Sequence, residues 1–290
     1  MKAGYVTILG LPNVGKSTLM NRLLGQQLSI VSQKPQTTRH RIIGILTEDD
    51  YQSIFIDTPG LIEPRYPLQE VMVRAIEKAL EGTDLVLWMV SAERGPDRRY
   101  EEIGNRLEKF STIVAVNKID LVKKGDLLPI MDFFRRLGIN DVFPISALYG
   151  EGVEELKMAI IERLPEGEFY YPPDMITEQP ERFFIAEIIR GKIFELYQEE
   201  IPYSTSVFIE EFKEREKGKY YIQAVIYVER KSQKGIIIGK SGTMLKKVGI
   251  EARRAVEEFL NHPVYLDLWV KIREDWRRSP AKLRELGYHA

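Results

Sequence analysis

Four short segments in the first half of the chain hold residue types whose spacing serves one kind of ligand. Gly10-Leu11-Pro12-Asn13-Val14-Gly15-Lys16-Ser17-Thr18 sets two glycines, a lysine and a hydroxyl at the spacing that wraps a phosphate chain. The glycines let backbone N–H groups turn inward, and a following helix N-terminus adds a favourable dipole. Lys16 is placed to reach the outer phosphates, and Ser17 Oγ to ligate Mg²⁺. Asp57-Thr58-Pro59-Gly60-Leu61 comes next; its carboxylate suits a water-mediated hold on that ion, and the Gly60 N–H suits a γ-phosphate oxygen. In Asn117-Lys118-Ile119-Asp120 the last carboxylate can accept two hydrogen bonds from guanine. Adenine offers no such donor pair. Lys118 would lie along the ring, and Ser146-Ala147-Leu148 would give a backbone N–H to the guanine oxygen. In the polar stretch 29–41, a threonine can complete Mg²⁺ coordination when the γ-phosphate is present; Thr38 is preferred, with Thr37 as the competitor.

These loops need strand ends to hold them. Apolar or β-branched runs at 5–9, 42–47, 53–56, 85–90, 112–116 and 142–145 read as strands. Helical patterns occupy 16–24, 68–81, 98–110, 127–137 and 153–164. The alternation predicts an α/β domain with a mostly parallel, doubly wound sheet. The runs 42–47 and 53–56 are too close for a parallel crossover, so they should form one antiparallel hairpin. Each chemical segment then falls just after a strand.

The bulk numbers agree with a two-domain protein of 290 residues. Its 44% hydrophobic and 29% charged content supports an ample core with a polar surface. No apolar run approaches the ~18 residues needed to span a bilayer, and 5–9 is too short for a signal peptide. The absence of cysteine excludes disulfides and thiolate metal sites and fits a reducing cytosol. The net charge of −1 hides an asymmetry: residues 1–180 hold 21 Lys+Arg against 26 Asp+Glu, whereas 181–290 hold 21 against 17. Only the second part is suited to a polyanion.

Prolines 165, 172, 173 and 180 mark a semi-rigid, extended connector. The expected organisation is 1–164 as a nucleotide-binding domain, 165–180 as linker and 181–290 as a second domain. In that second domain a helix at 182–200 should present Phe184, Ile188, Ile193 and Leu196 on one side. Strands follow at 204–212 and 220–229, joined by the charged turn 213–219. A helix at 236–238, a helix at 243–260, a strand at 265–272 and a short terminal helix complete it. Gly239-Lys240-Ser241-Gly242 sits between two helices, and residues 230–254 hold eight basic side chains against the single acid Glu251. Paired glycines bring the backbone close to a polyanion, as in the GXXG clamp of a KH module, which grips about four single-stranded nucleotides. The order α-β-β-α-α-β is that of a type II KH domain. Lys234, Lys240, Ser241, Lys246, Lys247 and Arg253 are the candidate polar contacts, and Ile236, Ile237, Ile238, Leu245 and Val248 the candidate apolar floor.

With both parts read, the chain resembles the Era family of bacterial GTPases. The resemblance covers nearly its whole length, and Pro35-Gln36-Thr37-Thr38-Arg39-His40-Arg41 and Val270-Lys271-Ile272-Arg273-Glu274-Asp275-Trp276-Arg277-Arg278 are specific to it. It implies a P-loop GTPase domain followed by an α+β type II KH domain. It also implies binding of GTP and GDP, Mg²⁺-dependent hydrolysis, and contact with the 3′ end of small-subunit rRNA during assembly of the small ribosomal subunit. A monomer in the cytoplasm, partly peripheral on the inner face of the cell membrane, is the expected state. Lys16, Thr38 and Gly60 carry the expected catalytic roles. In similar GTPases an asparagine at the position of Asn13 helps bind K⁺, which then acts like the charge of an arginine finger. Leu61 stands where Ras-like enzymes carry a water-orienting glutamine, and leucine cannot polarise water. Unassisted turnover should therefore be slow, on the order of 10⁻⁴ to 10⁻² s⁻¹.

Overall fold

The computed structural model describes residues 1–32, 34–95, 97–215 and 217–289. Gln33 in the polar stretch and Glu216 in the charged turn lie outside the described residues. The chain divides into two compact units. One is Met1–Glu63 with Met72–Glu178; the other is Pro64–Val71 with Gln179–Ala290.

The first unit holds β1 (Lys2–Gly10), β2 (Ile42–Thr47), β3 (Tyr51–Asp57), β4 (Leu85–Ser91), β5 (Thr112–Asn117) and β6 (Val142–Ile145). They form one sheet in the order β2-β3-β1-β4-β5-β6. Only the β2–β3 pair is antiparallel, as the short connection between them requires; every other neighbour runs parallel. β3 and β4 are buried at every position, which is why they read as near-continuous apolar runs. Helices α1 (Lys16–Leu24), α2 (Pro67–Leu80, of which 72–80 belong to this unit), α3 (Arg99–Leu107), α4 (Leu127–Arg136) and α5 (Val153–Arg163) alternate with the strands. Trp88 of β4 is fully buried, with edge-on contacts to Tyr100 of α3 at 5.9 Å and Phe134 of α4 at 5.0 Å. Because β1, β3, β5 and β6 point the same way, their C-terminal ends share one edge of the sheet, where doubly wound sheets bind ligands.

The stretch after α5 holds no helix or strand; it is not extended throughout, because it turns at 172–175, where Met175 N donates to Pro172 O at 3.0 Å, and it is docked within the first unit. Gln52 Oε1 accepts the Tyr170 and Tyr171 amides at 2.8 and 3.0 Å, and Nε2 donates to the Tyr171 carbonyl at 2.9 Å. Ile45 N donates to Ile176 O at 2.9 Å, and Thr177 Oγ1 to Ile43 O at 2.7 Å. The last two bonds cover the outer edge of β2, which no strand pairs among the described residues.

The second unit contains α6 (Glu181–Leu196), α7 (Ile201–Ser204), β7 (Ser206–Lys213), β8 (Tyr220–Val228), α8 (Lys231–Ile238), α9 (Thr243–Leu260), β9 (Val264–Ile272) and α10 (Pro280–Glu285). Its sheet order is β7-β8-β9, antiparallel then parallel. With α7 and α10 added, this is the type II KH order. Most boundaries move by two residues or fewer from the sequence reading, and two move furthest. α6 ends at Leu196 instead of 200, because Tyr197 turns extended (φ −116°, ψ 157°) and a separate turn, α7, forms around Pro202. The helix expected at 236–238 starts earlier, at Lys231, because Gln233 Oε1 caps the amides of Glu229 and Arg230 at 2.9 and 3.0 Å. The fully buried stripe of α6 is Ile185, Ile189 and Ile193; of the four residues expected there, Ile188 and Leu196 are only half-buried. That stripe packs with Ile222, Ala224 and Ile226 of β8 and Val248, Ala252 and Val256 of α9. Burying each large aliphatic side chain contributes roughly 1.5–3 kcal/mol.

Candidate functional site

β1 ends at Gly10 and α1 begins at Lys16, so the phosphate-loop residues form the strand-to-helix turn. Gly15 caps α1 at φ 98°, and a Cβ there would lie 2.2 Å from Asn117 Nδ2. Asn117 needs that space, because Nδ2 donates to Val14 O at 2.7 Å while Oδ1 accepts the Ala147 amide at 2.8 Å. One side chain thus staples the phosphate loop to both loops at the base end. Asn13 sits at φ 65°, a left-handed conformation that asparagine tolerates.

Lys16 is buried, with Nζ 3.2 Å from both Gly10 O and Leu11 O. Burial pulls its pKa down to about 8, against the opposing pull of Asp57. Ser17 Oγ donates to Asp57 Oδ2 at 2.7 Å and lies 3.0 Å from Thr38 Oγ1. Thr37 instead turns its hydroxyl to Lys34 O at 2.8 Å. Asp57 is fully buried, and its Oδ1 has no hydrogen-bond partner among the described residues. Burial pushes that carboxyl up, opposed first by Lys16 and then by Ser17. Thr58 Oγ1 anchors the following loop to Ile8 O at 2.7 Å. Leu61 N donates to Gly10 O at 3.0 Å, and a Cβ on Gly60 would come within 2.8 Å of the Pro12 backbone. The Gly60 loop therefore lies directly on the phosphate loop. One cavity is lined by Pro12, Asn13, Lys16 and Ser17, by Thr37 and Thr38, and by Gly60.

At the base end, Lys118 adopts φ 69° and pairs with Glu93 at 2.7 Å. That pairing holds the Glu93 carboxyl below its ordinary range. Asp120 Oδ1 accepts from Ser146 Oγ at 2.6 Å. Arg22 Nε donates to Ala147 O at 2.5 Å, and its Nη2 to Leu148 O. Arg22 and Glu93 are supporting residues that sequence reading misses. A basic residue in the last turn of α1 looks like an ordinary dipole partner, and Glu93 carries no signature at all. Leu148 is largely exposed.

In the second unit Gly239 (φ 73°), Ser241 (φ 50°) and Gly242 (φ 78°) turn the chain sharply between α8 and α9. Lys240, Ser241, Lys246, Lys247 and Ile236 are exposed around that turn, while Lys234, Ile238 and Leu245 are half-buried. Ile237 and Val248 are fully buried in the core and support this face from beneath. Arg253 is drawn along α9 by Glu257, at 3.2 Å.

The family of 50S ribosome-binding GTPases matches residues 5–118, and the KH domain family matches residues 200–277. The GTPase Era of Lactobacillus helveticus is 46% identical over 99% of this chain and 96% of its own length. Two crystal structures have a TM-score of 0.96, 43% identity and full coverage of both chains. One is of an Aquifex aeolicus Era variant bound to GDP·AlF4⁻; the other is of Era in complex with MgGDPNP and nucleotides 1506–1542 of 16S ribosomal RNA. A phosphate loop, a guanine-type base loop and a basic GXXG turn, in one chain this similar to those proteins along its full length, establish that it belongs to the Era family of GTPases.

Proposed function

We propose that this chain is a slow, Mg²⁺-dependent GTP switch that grips the 3′ end of small-subunit rRNA through its GXXG turn during assembly of the small ribosomal subunit. The observation that carries the reading is one chain joining two things: the convergence of Ser17, Thr38 and Asp57 beside Lys16, and an exposed basic GXXG turn. The Era structure with MgGDPNP and a 16S fragment supports the choice of partners. In this reading the protein works as a monomer in the cytoplasm, with a peripheral share at the membrane. RNA crosslinked in cells and sequenced from protein loaded with GTP, then GDP, tests it. Reads should concentrate at the 16S 3′ end in one nucleotide state; reads spread over tRNA would replace it with a tRNA-directed role.

The oxygens present suit a magnesium ion. Asp57 offers a buried carboxylate oxygen, Oδ1, without a hydrogen-bond partner among the described residues; Ser17 Oγ lies against its other oxygen, and Thr38 Oγ1 lies 3.0 Å from Ser17 Oγ. Ser17 and Thr38 would hold the ion directly and Asp57 through water. When bound, the ion neutralises charge developing on the β- and γ-phosphate oxygens. Lys16 and the loop amides orient the phosphates, and Gly60 is placed to read the third one.

Two predictions follow the chemistry of this loop. Lys16 loses its proton near pH 8 in the free protein, whereas a bound polyphosphate favours the charged form. Below pH 8 the lysine is charged in both states, and GDP affinity should be flat. Above it, binding must recapture a proton, so the Kd should rise by up to about tenfold per pH unit. Calorimetry between pH 6.5 and 9 in two buffers of different ionisation enthalpy reads both the slope and the proton uptake. Separately, Asn13 beside the cavity supports K⁺ as the missing positive charge at the transition state. Hydrolysis should be at least several-fold faster in KCl than in NaCl, and an Asn13→Ala variant should lose the difference. Equal wild-type rates in the two salts would remove K⁺ from the mechanism.

A further inference from the structure

We propose that Arg277 is a latch that ties the segment following the Gly60 loop to the start of the helix before the GXXG turn. Nucleotide state and RNA grip would then bear on one side chain. This rests on the functional reading above and names the residues that would make its two halves interdependent.

Pro64–Val71 follows the γ-phosphate-reading loop in sequence, yet it clusters with the second unit and not with the sheet that carries that loop. Three contacts within that unit involve Arg277. Its carbonyl accepts the Leu68 amide at 3.1 Å, a first-turn N–H of α2 that has no partner within the helix. Its guanidinium lies over the Tyr66 ring, 5.5 Å from the centroid. The same guanidinium is paired with Glu229, and the two side chains are only 22% and 10% exposed. So placed, the pair is screened far less by salt than a surface pair would be.

Glu229 stands at the entrance to α8. Its own amide is capped by Gln233 Oε1 at 2.9 Å, and α8 runs without interruption from Lys231 to Ile238 and into Gly239. Arg277 therefore has one hand on the residues after Gly60 and the other on the element that aims the GXXG turn. In this proposal a shift of the Gly60 loop on meeting a γ-phosphate would be carried along the chain to Tyr66 and Leu68, and Arg277 would then either follow them or keep Glu229. Any such difference in contact free energy acts in both directions: RNA on the turn must alter nucleotide preference by the same factor.

The test measures Kd for a 16S fragment of nucleotides 1506–1542, with protein loaded with GDPNP or with GDP. The wild-type ratio of the two Kd values should be about fivefold or more. In Arg277→Ala and in Glu229→Gln the ratio should fall to within about twofold of unity, with GDP and GDPNP affinities in the absence of RNA nearly unchanged. Tyr66→Leu keeps an apolar side chain and no aromatic face, and it should lower the ratio even if Arg277→Ala folds poorly. A coupled wild type with equally coupled variants overturns the latch and leaves the functional reading intact. A wild type that binds the fragment equally in both states, or not at all, overturns the latch together with that reading.

Discussion

Replacing Asp120 by Asn is expected to cut affinity for GDP and GTP by about 10³-fold or more and to create affinity for xanthosine nucleotides. A carboxylate accepts both the ring N–H and the amino group of guanine, and a site built on such a pair rejects a mismatched partner by several orders of magnitude. Asparagine presents one acceptor and one donor. Its amide N–H would face the guanine amino group, donor against donor, leaving both unsatisfied. Xanthine carries a carbonyl where guanine carries that amino group, so the same amide matches it. The substitution should leave the rest of the site intact. Ser146 Oγ donates to Asp120 Oδ1 at 2.6 Å, and an asparagine carbonyl in that place accepts the same bond. The Asn117 staple to Val14 O and the Ala147 amide does not involve Asp120. Titration of fluorescent GDP and XDP against both proteins separates the outcomes. Unchanged GDP binding in the variant would mean that Asp120 does not read the base.

The candidate residues for this chemistry were legible in the sequence because phosphate and base recognition rest on local spacing. Gly10 to Ser17 form one turn, and no distant residue is needed to recognise it. The mostly parallel sheet with one reversed strand was equally legible, since only 48–52 separates the runs 42–47 and 53–56 that became β2 and β3. What escaped was side-chain support across long sequence separations. Asn117 reaches back to Val14, and Arg22 of α1 holds the carbonyls of Ala147 and Leu148. Neither pairing has a periodicity or a fixed offset. The proline-rich stretch announced a segment without helix or strand, but neither its turn at 172–175 nor that Gln52 would bind it through three hydrogen bonds, because a glutamine in a buried strand has no sequence signature of its partner. α8 was read too short for a similar reason. Its amino-terminal half is polar, and Gln233 as its cap is visible only once the Glu229 and Arg230 amides are seen to converge on it. Thr37 and Thr38 differ only in geometry, which spacing does not reveal: the Thr38 hydroxyl stands beside Ser17, and that of Thr37 turns to Lys34 O.

The double substitution Lys240→Asp, Ser241→Asp is expected to lower affinity for single-stranded RNA by about 10²-fold or more while leaving nucleotide binding unchanged. A GXXG turn grips the phosphate backbone, so its two middle residues set the charge met by the closest phosphates. The change removes one cation and adds two anions at exposed positions. A loss of ~2.8 kcal/mol is a hundredfold in Kd, within reach of like charges held beside phosphates. The fold should tolerate it. Ser241 occupies the left-handed region at φ 50°, where aspartate is among the side chains most readily accepted. Gly239 and Gly242, whose conformations make the turn, are untouched. The buried layer of Ile237 and Val248 beneath it contains neither substituted residue. Salt dependence distinguishes lost grip from general repulsion. Loss of a phosphate contact lowers the slope of log K against log salt by about one, whereas repulsion at a distance fades as salt rises. A variant with wild-type affinity and slope would move the RNA off the turn and onto the α9 lysines, Lys246 and Lys247, whose substitution would then carry the effect.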